Sequence, residues 1–296
     1  MRIKIAGIRR GNQYSPNHIG NDAAIFNKTV EHLLNNDFDI VEYSEEEFQN
    51  SLIEEDIIFN MVRDAKSIQK LQQLENIGKI VINSGYGIEN CTRGKMTRLL
   101  LANNIPHPRS VIVSTKDFQP LSLSSLSRNY WVKRGDFHAI HREDVTYARN
   151  QEEAESIIHE YALRGIPSAV VNEHLEGDLV KFYGVKGTDF FHWFYPDSNH
   201  SKFGLEVING KATGISFDLD KLKEDCDHAA QVLGIHIYGG DCVVDKDGYV
   251  RIIDFNDWPS FAPCRDEAAP FIAECICNVA TQTSKNFELH HNGQSK

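Results

Sequence analysis

Residues 236–261, HIYGGDCVVDKDGYVRIIDFNDWPSF, combine two apolar runs with a tight turn and end in acidic and amide groups. The pair Asp247-Gly248 is typical of a two-residue hairpin loop, because a type I′ turn needs positive φ at both central residues. That turn places Asp241 directly opposite Asp254 on neighbouring antiparallel strands. A turn at Lys246-Asp247 is the alternative, and it would change the register.

The register of this hairpin predicts a cluster of oxygen atoms. Val244 faces Arg251 in it, and Asn256 lies on the same face as Asp254, because strand side chains alternate. Directly opposed side chains have Cβ atoms about 4.5–5.5 Å apart, so carboxylates at Asp241 and Asp254 repel one another. We expect no basic residue between these groups, so a divalent cation would relieve the repulsion, and Mg²⁺ prefers oxygen ligands. Asp241, Asp254 and Asn256 are therefore the predicted metal ligands; a solvated hairpin with its acids in water is the alternative.

Short apolar strands alternate with helical stretches in the first third of the chain. Asn21 or Asp22 is the expected N-cap of the helix that follows the first strand. The predicted strands are Ile3–Ile8, Phe38–Tyr43, Asp56–Val62 and Lys79–Asn83. Strands separated by helices indicate a parallel sheet with crossover helices. A first domain is therefore predicted at residues 1–86.

Helices and strands also alternate in the rest of the chain, without an internal repeat. Pro106 and Pro108 end a helix predicted at 92–104, because proline cannot continue a helix. The further predicted strands are 129–134, 168–173, 178–185 and 190–195, and the helices are 151–164, 219–233 and one near 266–280. The polar residues 286–296 are expected to form a disordered tail.

The segment IIDFNDWPSF, with Asp241 on the preceding strand, resembles the metal-binding Asp-x-Asn segment of the ATP-grasp superfamily. The motifs described below extend this resemblance over most of the chain. It implies an α/β fold in which an N-terminal parallel-sheet domain, 1–86, precedes two α+β subdomains that sandwich ATP. The first subdomain, with a linker helix, would span 87–172, and the second, with the metal site, would span 173–285.

Two lysines resemble those with which this family contacts ATP phosphates. Lys95 lies in the helix of ENCTRGKMTRLLLANNIPHP, and Lys133 ends the strand of YWVKRG. A lysine suits a phosphate as a point charge. Lys133 directly follows an apolar run, so it lies at the strand edge where ligand sites gather in α/β proteins. An ordinary exposed helix lysine is the alternative for Lys95.

The segment VVNEHLEGDLVKFYGV resembles the hinge with which the family binds adenine. The resemblance implies that Glu173 holds the adenine amino group together with the backbone of His174 and Leu175. Asp178 would accept the ribose hydroxyl groups, since a carboxylate accepts two hydrogen bonds, and Glu176 is the alternative. An edge strand that ends in a charged turn is the structural alternative for this segment.

The loop KRGDFHAIHREDV departs from the Gly- and Ser-rich loop that often covers the phosphates in this family. His138, His141 and Arg142 would add cationic or hydrogen-bonding contacts there, beside Arg134, with Gly135 as a hinge. We expect His138 to contact the nucleotide. Ordinary surface or core histidines are the alternative.

The predicted catalytic contacts are basic, because such enzymes act by positioning and by charge neutralisation. Lys181 would face the phosphates or the second substrate, and Arg265 follows the metal segment directly. The full set is Lys133, Arg142, Lys181 and Arg265.

The loop after the first strand, GIRRGNQYSPNHIGNDAA, is a candidate substrate contact. Arg9, Arg10, His18 and the helix N-terminus near Asn21 could bind an anion there. A surface loop of mixed polarity is the alternative.

Two functions follow from the resemblance. Similarity to ribosomal-protein glutamate ligases implies an ATP-dependent ligase that joins a carboxylate to an amine or thiol through an acylphosphate, with Mg²⁺ or Mn²⁺. Its substrate would be a small molecule or peptide with a carboxylate. Similarity of EGDLVKFYGV and the histidine loop to inositol-phosphate kinases implies the alternative, a kinase that phosphorylates a hydroxyl group.

Composition excludes several other classes. Lys and Arg number 31 against 42 Asp and Glu, a net charge of −11, which argues against nucleic-acid binding and against docking on anionic membranes. No apolar stretch has the length of about 18 residues that a membrane helix needs. Six cysteines without a paired zinc spacing are expected to be reduced thiols of a cytoplasmic protein. The sequence leaves a homodimer open.

Overall fold

The computed structural model of the chain describes residues 2–14, 19–36, 38–116, 123, 126, 129–137, 141–196 and 208–292, with side chains as far as 281. None of the helices in these ranges combines the length and apolar character that a bilayer crossing requires.

The N-terminal part is a parallel sheet covered by helices. Its strands are β1 (Ile3–Ile8), β2 (Phe38–Tyr43), β3 (Ile57–Asn60) and β4 (Ile80–Ile82), in the order β2-β1-β3-β4. The helices are α1 (Ile19–Asn35), α2 (Glu45–Asn50), α3 (Ala65–Asn76) and α4 (Gly85–Asn90), and a short 3₁₀ turn covers Asn12–Tyr14. The prediction of a parallel sheet with crossover helices is confirmed.

A second, antiparallel sheet follows. Helix α5 (Arg93–Ala102) leads to its strands, β5 (Ser110–Ser114), β6 (Tyr130–Arg134), β7 (Val145–Ala148) and β8 (Ser168–Glu173), in the order β5-β8-β6-β7. A 3₁₀ turn (Arg142–Asp144) precedes β7, and α6 (Gln151–Leu163) covers one face. Tyr130 and Val132 pack with Ile158 of α6, so Trp131 and Lys133 lie on the other face of the sheet.

The third sheet is also antiparallel. Its strands are β9 (Asp178–Val185), β10 (Phe191–Phe194), β11 (Ile237–Val244) and β12 (Val250–Asp257), in the order β10-β9-β11-β12, with helices α7 (Leu219–Leu233) and α8 (Arg265–Asn292). Val180 and Phe182 pack with Leu222 of α7, so Lys181 lies on the opposite face. Each such buried Leu or Phe side chain stabilises the fold by about 1.5–3 kcal/mol.

The uncovered faces of the second and third sheets meet across a cleft. Lys133 Nζ of the second sheet donates to the carbonyl oxygen of Ile253 in the third, at 3.1 Å. Gly94 N of α5 donates to Gly135 O at the end of β6, at 2.8 Å. Side chains on both uncovered faces can therefore act on one ligand between the sheets.

Two predicted helix ends are wrong. Helix α1 begins at Ile19, so neither Asn21 nor Asp22 caps it; Asp22 is only 6% exposed because it turns inward to pair with buried Arg10. Helix α8 continues to Asn292, so 286–292 is helical, while 293–296 lies outside the described residues. Hydrophilic composition alone does not end a helix.

Candidate active site

The turn of the β11–β12 hairpin is longer than predicted. Its loop has three residues, 246–248, because Asp245 N donates to Tyr249 O at 3.0 Å and Gly248 N donates to Asp245 O at 2.9 Å. The Asp245 carboxylate stabilises this turn by accepting from Asp247 N at 3.0 Å. Val244 therefore pairs with Val250, and the predicted pairing of Val244 with Arg251 is wrong.

A β-bulge restores the register at the acidic residues. The pairing shifts between Asp241 and Cys242, which leaves Ile253 as the extra residue of β12, and Asp241 then lies opposite Asp254 as predicted. Gly239 pairs with Asn256 on the same face. The longer loop and the bulge cancel, so the acidic pairing is confirmed although the turn was wrong. The bulge also leaves the Ile253 carbonyl available to Lys133.

Basic residues contact both carboxylates, contrary to expectation. Lys181, which pairs with Asp241 across β9 and β11, places its Nζ 2.8 Å from Asp241 Oδ1. Arg93 Nη2 of α5 lies 3.4 Å from Asp254 Oδ2. These cations come from other elements, so spacing within the hairpin could not reveal them.

Lys133 adds a third positive charge to this cluster. Its side chain is buried, and this desolvation lowers the pKa of the ammonium group to about 7. Arg93 lowers it further, while Asp254 and Asp241 oppose the shift. Three basic side chains thus surround two carboxylates, and an anionic ligand would favour the charged form of Lys133.

Arg93, which the sequence reading missed, reaches the site, whereas Lys95 does not. Lys95 Nζ pairs with Glu89 Oε1 at 2.6 Å, and its side chain is 45% exposed. Helix periodicity could have found Arg93, because the buried residues of α5 follow the spacing of one helical face: Arg93, Met96, Thr97 and Leu100. The role predicted for Lys95 stays a prediction.

No family model matches the chain, and no curated protein matches it. Several solved structures are similar to it. D-alanine–D-alanine ligase from Bacillus anthracis, complexed with ATP, is similar with a TM-score of 0.68 and 14% identity over 98% of this chain and 99% of the ligase. The VanG D-Ala:D-Ser ligase from Enterococcus faecalis has a TM-score of 0.68 and 14% identity, covering 96% of this chain and 100% of that ligase. The ATP-grasp ligase PsnB, complexed with a minimal precursor, has a TM-score of 0.60 and 15% identity over 94% of this chain and 100% of its own.

The chain has the ATP-grasp fold. The predicted fold class is thereby confirmed, and the cleft between the second and third sheets is the cleft of this ATP-grasp fold.

The Glu173 carboxylate, at the end of β8, is already bound by arginine. Arg109 donates to it from its backbone N at 3.0 Å and from Nε at 2.8 Å. Arg251 Nη1 lies 3.8 Å away. Glu173 therefore joins the second sheet to the third, and the predicted contact with an adenine amino group, which stays a prediction, would compete with two guanidinium groups.

Asp178 is similarly occupied. Its carboxylate accepts Thr213 N at 2.8 Å, Gly214 N at 2.8 Å and Ile215 N at 2.9 Å. Burial alone would raise the pKa of Asp178, but these N–H groups lower it overall. Glu176, the alternative, is exposed and is the more accessible of the two carboxylates.

An aromatic cluster lies beside Lys133 on the cleft face of the second sheet. Trp131 Nε1 donates to His174 Nδ1 at 3.1 Å. The Tyr147 ring meets Trp131 edge-on with centroids 5.4 Å apart, and meets His174 at 5.3 Å. Leu175 is buried next to this cluster in the chain. Apolar ring surface two residues from Lys133 suits a nucleotide base.

The loop after β6 brings few cations to the cleft among its described residues. Arg134 donates to both oxygens of Asp136, each at 2.9 Å, and lies 3.5 Å from Asp144. Arg142 and His141 are exposed. His138 lies outside the described residues.

Arg265 and the loop after β1 lie beside the end of β12. Arg265 Nη2 donates to Asn21 Oδ1 at 2.9 Å, while its buried Nε has no hydrogen-bond partner. Arg9 and Arg10 are both engaged by protein groups, and His18 lies outside the described residues. Within the part of the chain that the structure describes, no three His, Cys, Asp or Glu residues form a metal-binding group, so the candidate metal site consists of two carboxylates and one amide.

Proposed function

We propose that this protein is an ATP- and Mg²⁺-dependent ligase that joins a carboxylate to an amine through an acylphosphate. The observation that carries the proposal is the opposed pair Asp241 and Asp254, set among Arg93, Lys133 and Lys181 in the cleft of an ATP-grasp fold. The similar ligases named above, one of them complexed with ATP, support it.

The donor set fits Mg²⁺. Asp241 and Asp254 supply carboxylate oxygens, and Asn256 supplies an amide oxygen on the same strand face. Mg²⁺ is usually bound by one or two carboxylates together with substrate phosphates. When bound, the ion would neutralise charge on the phosphates. Lys181 and Arg93, which hold the carboxylates here, would then be released to the phosphate oxygens.

The nucleotide would lie along the cleft face of the second sheet. Trp131 and Tyr147 offer ring surface for the base, and Lys133, two residues beyond Trp131, lies toward the phosphates. Glu176 is the exposed carboxylate for the ribose hydroxyl groups. Arg265 is the proposed contact for a substrate carboxylate, because its buried Nε lacks a partner.

The proposed reaction has two steps. A substrate carboxylate oxygen attacks the γ-phosphorus, the bond to the β-phosphate oxygen breaks, and ADP leaves. The amine nitrogen then attacks the acyl carbon, the C–O bond breaks, inorganic phosphate leaves and the amine releases a proton. Lys133, Arg93 and Lys181 stabilise the phosphate charge through both steps by fixed position and low solvent exposure.

Two experiments test the proposal. ADP release should be screened with ATP, Mg²⁺ and pairs of amino acids, short peptides and amines; a ligase releases ADP only when carboxylate and nucleophile are both present. With an ¹⁸O-labelled carboxylate, one ¹⁸O atom should appear in the inorganic phosphate. A phosphorylated polyol formed without any second substrate would instead establish the kinase alternative, which no contact among the described residues favours.

A further inference from the structure

A cavity beside α1 remains outside the site described above. It is partly open to solvent, has a volume of about 70 Å³, and lies between the loop after β1 and the first turns of α1. Ile19, Ala23, Phe26 and Met61 form its apolar wall. The opposite wall is polar, and its hydrogen bonds determine the charge of the ligand that the cavity accepts.

The arginines of the polar wall are already satisfied by the protein. Arg9 donates to Glu42 Oε2 from Nη2 at 2.5 Å and to Asn27 Oδ1 at 2.7 Å. Its guanidinium also lies over the Phe26 ring, 4.3 Å from the centroid.

Arg10 is held on three sides. Its Nη1 donates to Asp22 Oδ2 at 3.2 Å, its Nε to Met61 O at 3.1 Å and its Nη2 to Trp258 O at 2.7 Å. The loop backbone is engaged as well, since Gly11 N donates to Glu45 Oε2 at 2.6 Å. An anion entering the cavity would have to displace these contacts.

The polar group of the cavity wall that lacks a hydrogen-bond partner is an acceptor. Asp22 lines the cavity and is 6% exposed, and its Oδ1 has no hydrogen-bond partner. A buried carboxylate oxygen without a partner is costly, because burial removes the water that would otherwise solvate it. The position of Asp22 in the first turn of α1 offsets part of the charge but supplies no donor to Oδ1.

The charges of the region balance without a ligand. Three nearby guanidinium groups are each matched by one carboxylate, Arg9 by Glu42, Arg10 by Asp22 and Arg63 by Asp257. Glu45 adds a negative charge, and its carboxylate accepts backbone N–H groups of Gly11, Arg63 and Asp64. Arg265, which donates to Asn21, adds a positive charge. The unmatched oxygen of Asp22 is therefore what selects the ligand.

We propose that this cavity binds a primary ammonium group on a short apolar body, with Asp22 Oδ1 as its acceptor. The ammonium group supplies the missing donor, and the apolar wall covers the attached carbon atoms. A carboxylate stabilises the protonated form of an amine, so the group held here serves for recognition and is not the attacking nucleophile. The assignment of this ligand as a substrate of the chain rests on the proposed ligase function, whereas its binding does not.

Ligand-observed NMR titrations test the site with three probes of similar size: propylammonium, 1-propanol and propionate. Propylammonium should bind at least about tenfold more tightly than the other two, because a hydrogen bond to a charged group contributes about 1.5–3 kcal/mol. Tighter binding of propionate would overturn the proposal in favour of the anion site expected from the arginines.

Matched variants locate the effect. Asp22→Asn should weaken propylammonium binding about tenfold or more, whereas Glu42→Gln, which also removes a carboxylate paired with an arginine, should change it less than about twofold. Equal losses in the two variants would contradict the site. If circular dichroism shows that Asp22→Asn does not fold, Ala23→Leu decides instead, because it fills the cavity without changing charge and should abolish binding. Unchanged binding in Ala23→Leu overturns the proposal.

ADP release separates this inference from the proposed function. If propylammonium binds through Asp22 but no pair of substrates releases ADP, the ammonium site stands and the ligase function fails. If ADP release occurs and Asp22→Asn changes neither propylammonium binding nor the KM of any ammonium-bearing substrate, the ligase function stands and the ammonium site fails.

Discussion

The cleft and the cavity beside α1 both contain arginine or lysine next to aspartate, yet they favour ligands of opposite charge. In the cleft, Arg93, Lys133 and Lys181 surround two carboxylates, so basic groups outnumber acidic ones and an anion would favour the charged form of Lys133. In the cavity, Arg9 and Arg10 both donate to protein acceptors, and the buried atom without a partner is a carboxylate oxygen. The sign of the charge that a favoured ligand carries therefore follows from the polar atoms that lack a partner within the protein. The types of residue that line a site do not determine it.

The largest expected effect comes from removing a carboxylate of the cleft. Asp254→Asn should reduce the rate of ADP release by on the order of 10²–10³, as for loss of a preorganised electrostatic group, while the protein still folds. Asp245→Asn on the same hairpin is the control, because Asp245 only stabilises the turn and pairs with Arg251. Equal losses in steady-state rate would mean that the hairpin matters for folding alone.

Arg93 and Lys95 provide the next test, since they lie two residues apart on one helix. Arg93→Ala should raise the KM for ATP about 10–100-fold, because a buried charge that reaches the cleft would be lost. Lys95→Ala should change it less than about threefold, because Lys95 pairs with Glu89 at the surface. The reverse order would restore the assignment made from the sequence and would remove Arg93 from the cleft charge.

These two residues also show what the sequence could predict. Short runs of apolar residues located β1, β2, β8 and β9 at their observed bounds. The opposed pair Asp241 and Asp254 was predicted correctly only because the longer loop and the bulge compensate for each other. The contacts of Arg93 and Lys181 with those acids were not, because they depend on how α5 and β9 pack against the hairpin.

The segment predicted to form the adenine hinge shows a different limit of prediction from the sequence. Glu173 and Asp178 were correctly placed at strand ends, but their partners could not be read from the sequence. Arg109 and the backbone of 213–215 lie far from them along the chain and reach them only through the tertiary fold. A carboxylate at a predicted site therefore indicates an available ligand only after its protein partners are known.

His107 is buried beside the cleft, close to Lys133. Burial, then Lys133, lowers the pKa of His107 to about 3, and its Nδ1 lies 2.7 Å from Ile252 O. The unfolded chain takes up this proton near the ordinary pKa of about 6.5, while the folded protein does not until about pH 3. The free energy of unfolding should therefore fall as the pH drops below 6.5, by up to about 1.4 kcal/mol per unit, or about 2 kcal/mol at pH 5.

Urea unfolding at pH 7.5 and pH 5 measures this effect. His107→Asn keeps an N–H donor near the Ile252 carbonyl but cannot titrate, so the difference between the two pH values should shrink by about 2 kcal/mol. A variant with the wild-type pH dependence would show that groups other than His107 cause it.

The smallest effect is expected at Arg9, on the cavity side of the comparison. Its side chain and that of Glu42 are 33% and 41% exposed, so their ion pair contributes at most about 1 kcal/mol, and its contact with the Phe26 ring contributes a similar amount. Arg9→Ala should therefore lower the free energy of unfolding by about 1–2 kcal/mol. Because Arg9 is engaged by the protein, the variant should leave the affinity for inorganic phosphate and the KM for ATP within about twofold of the wild type. Urea unfolding and phosphate titration measure the two quantities on the same sample. A tenfold loss of phosphate affinity with little change in stability would make the cavity an anion site. The cleft and the cavity would then favour ligands of the same charge.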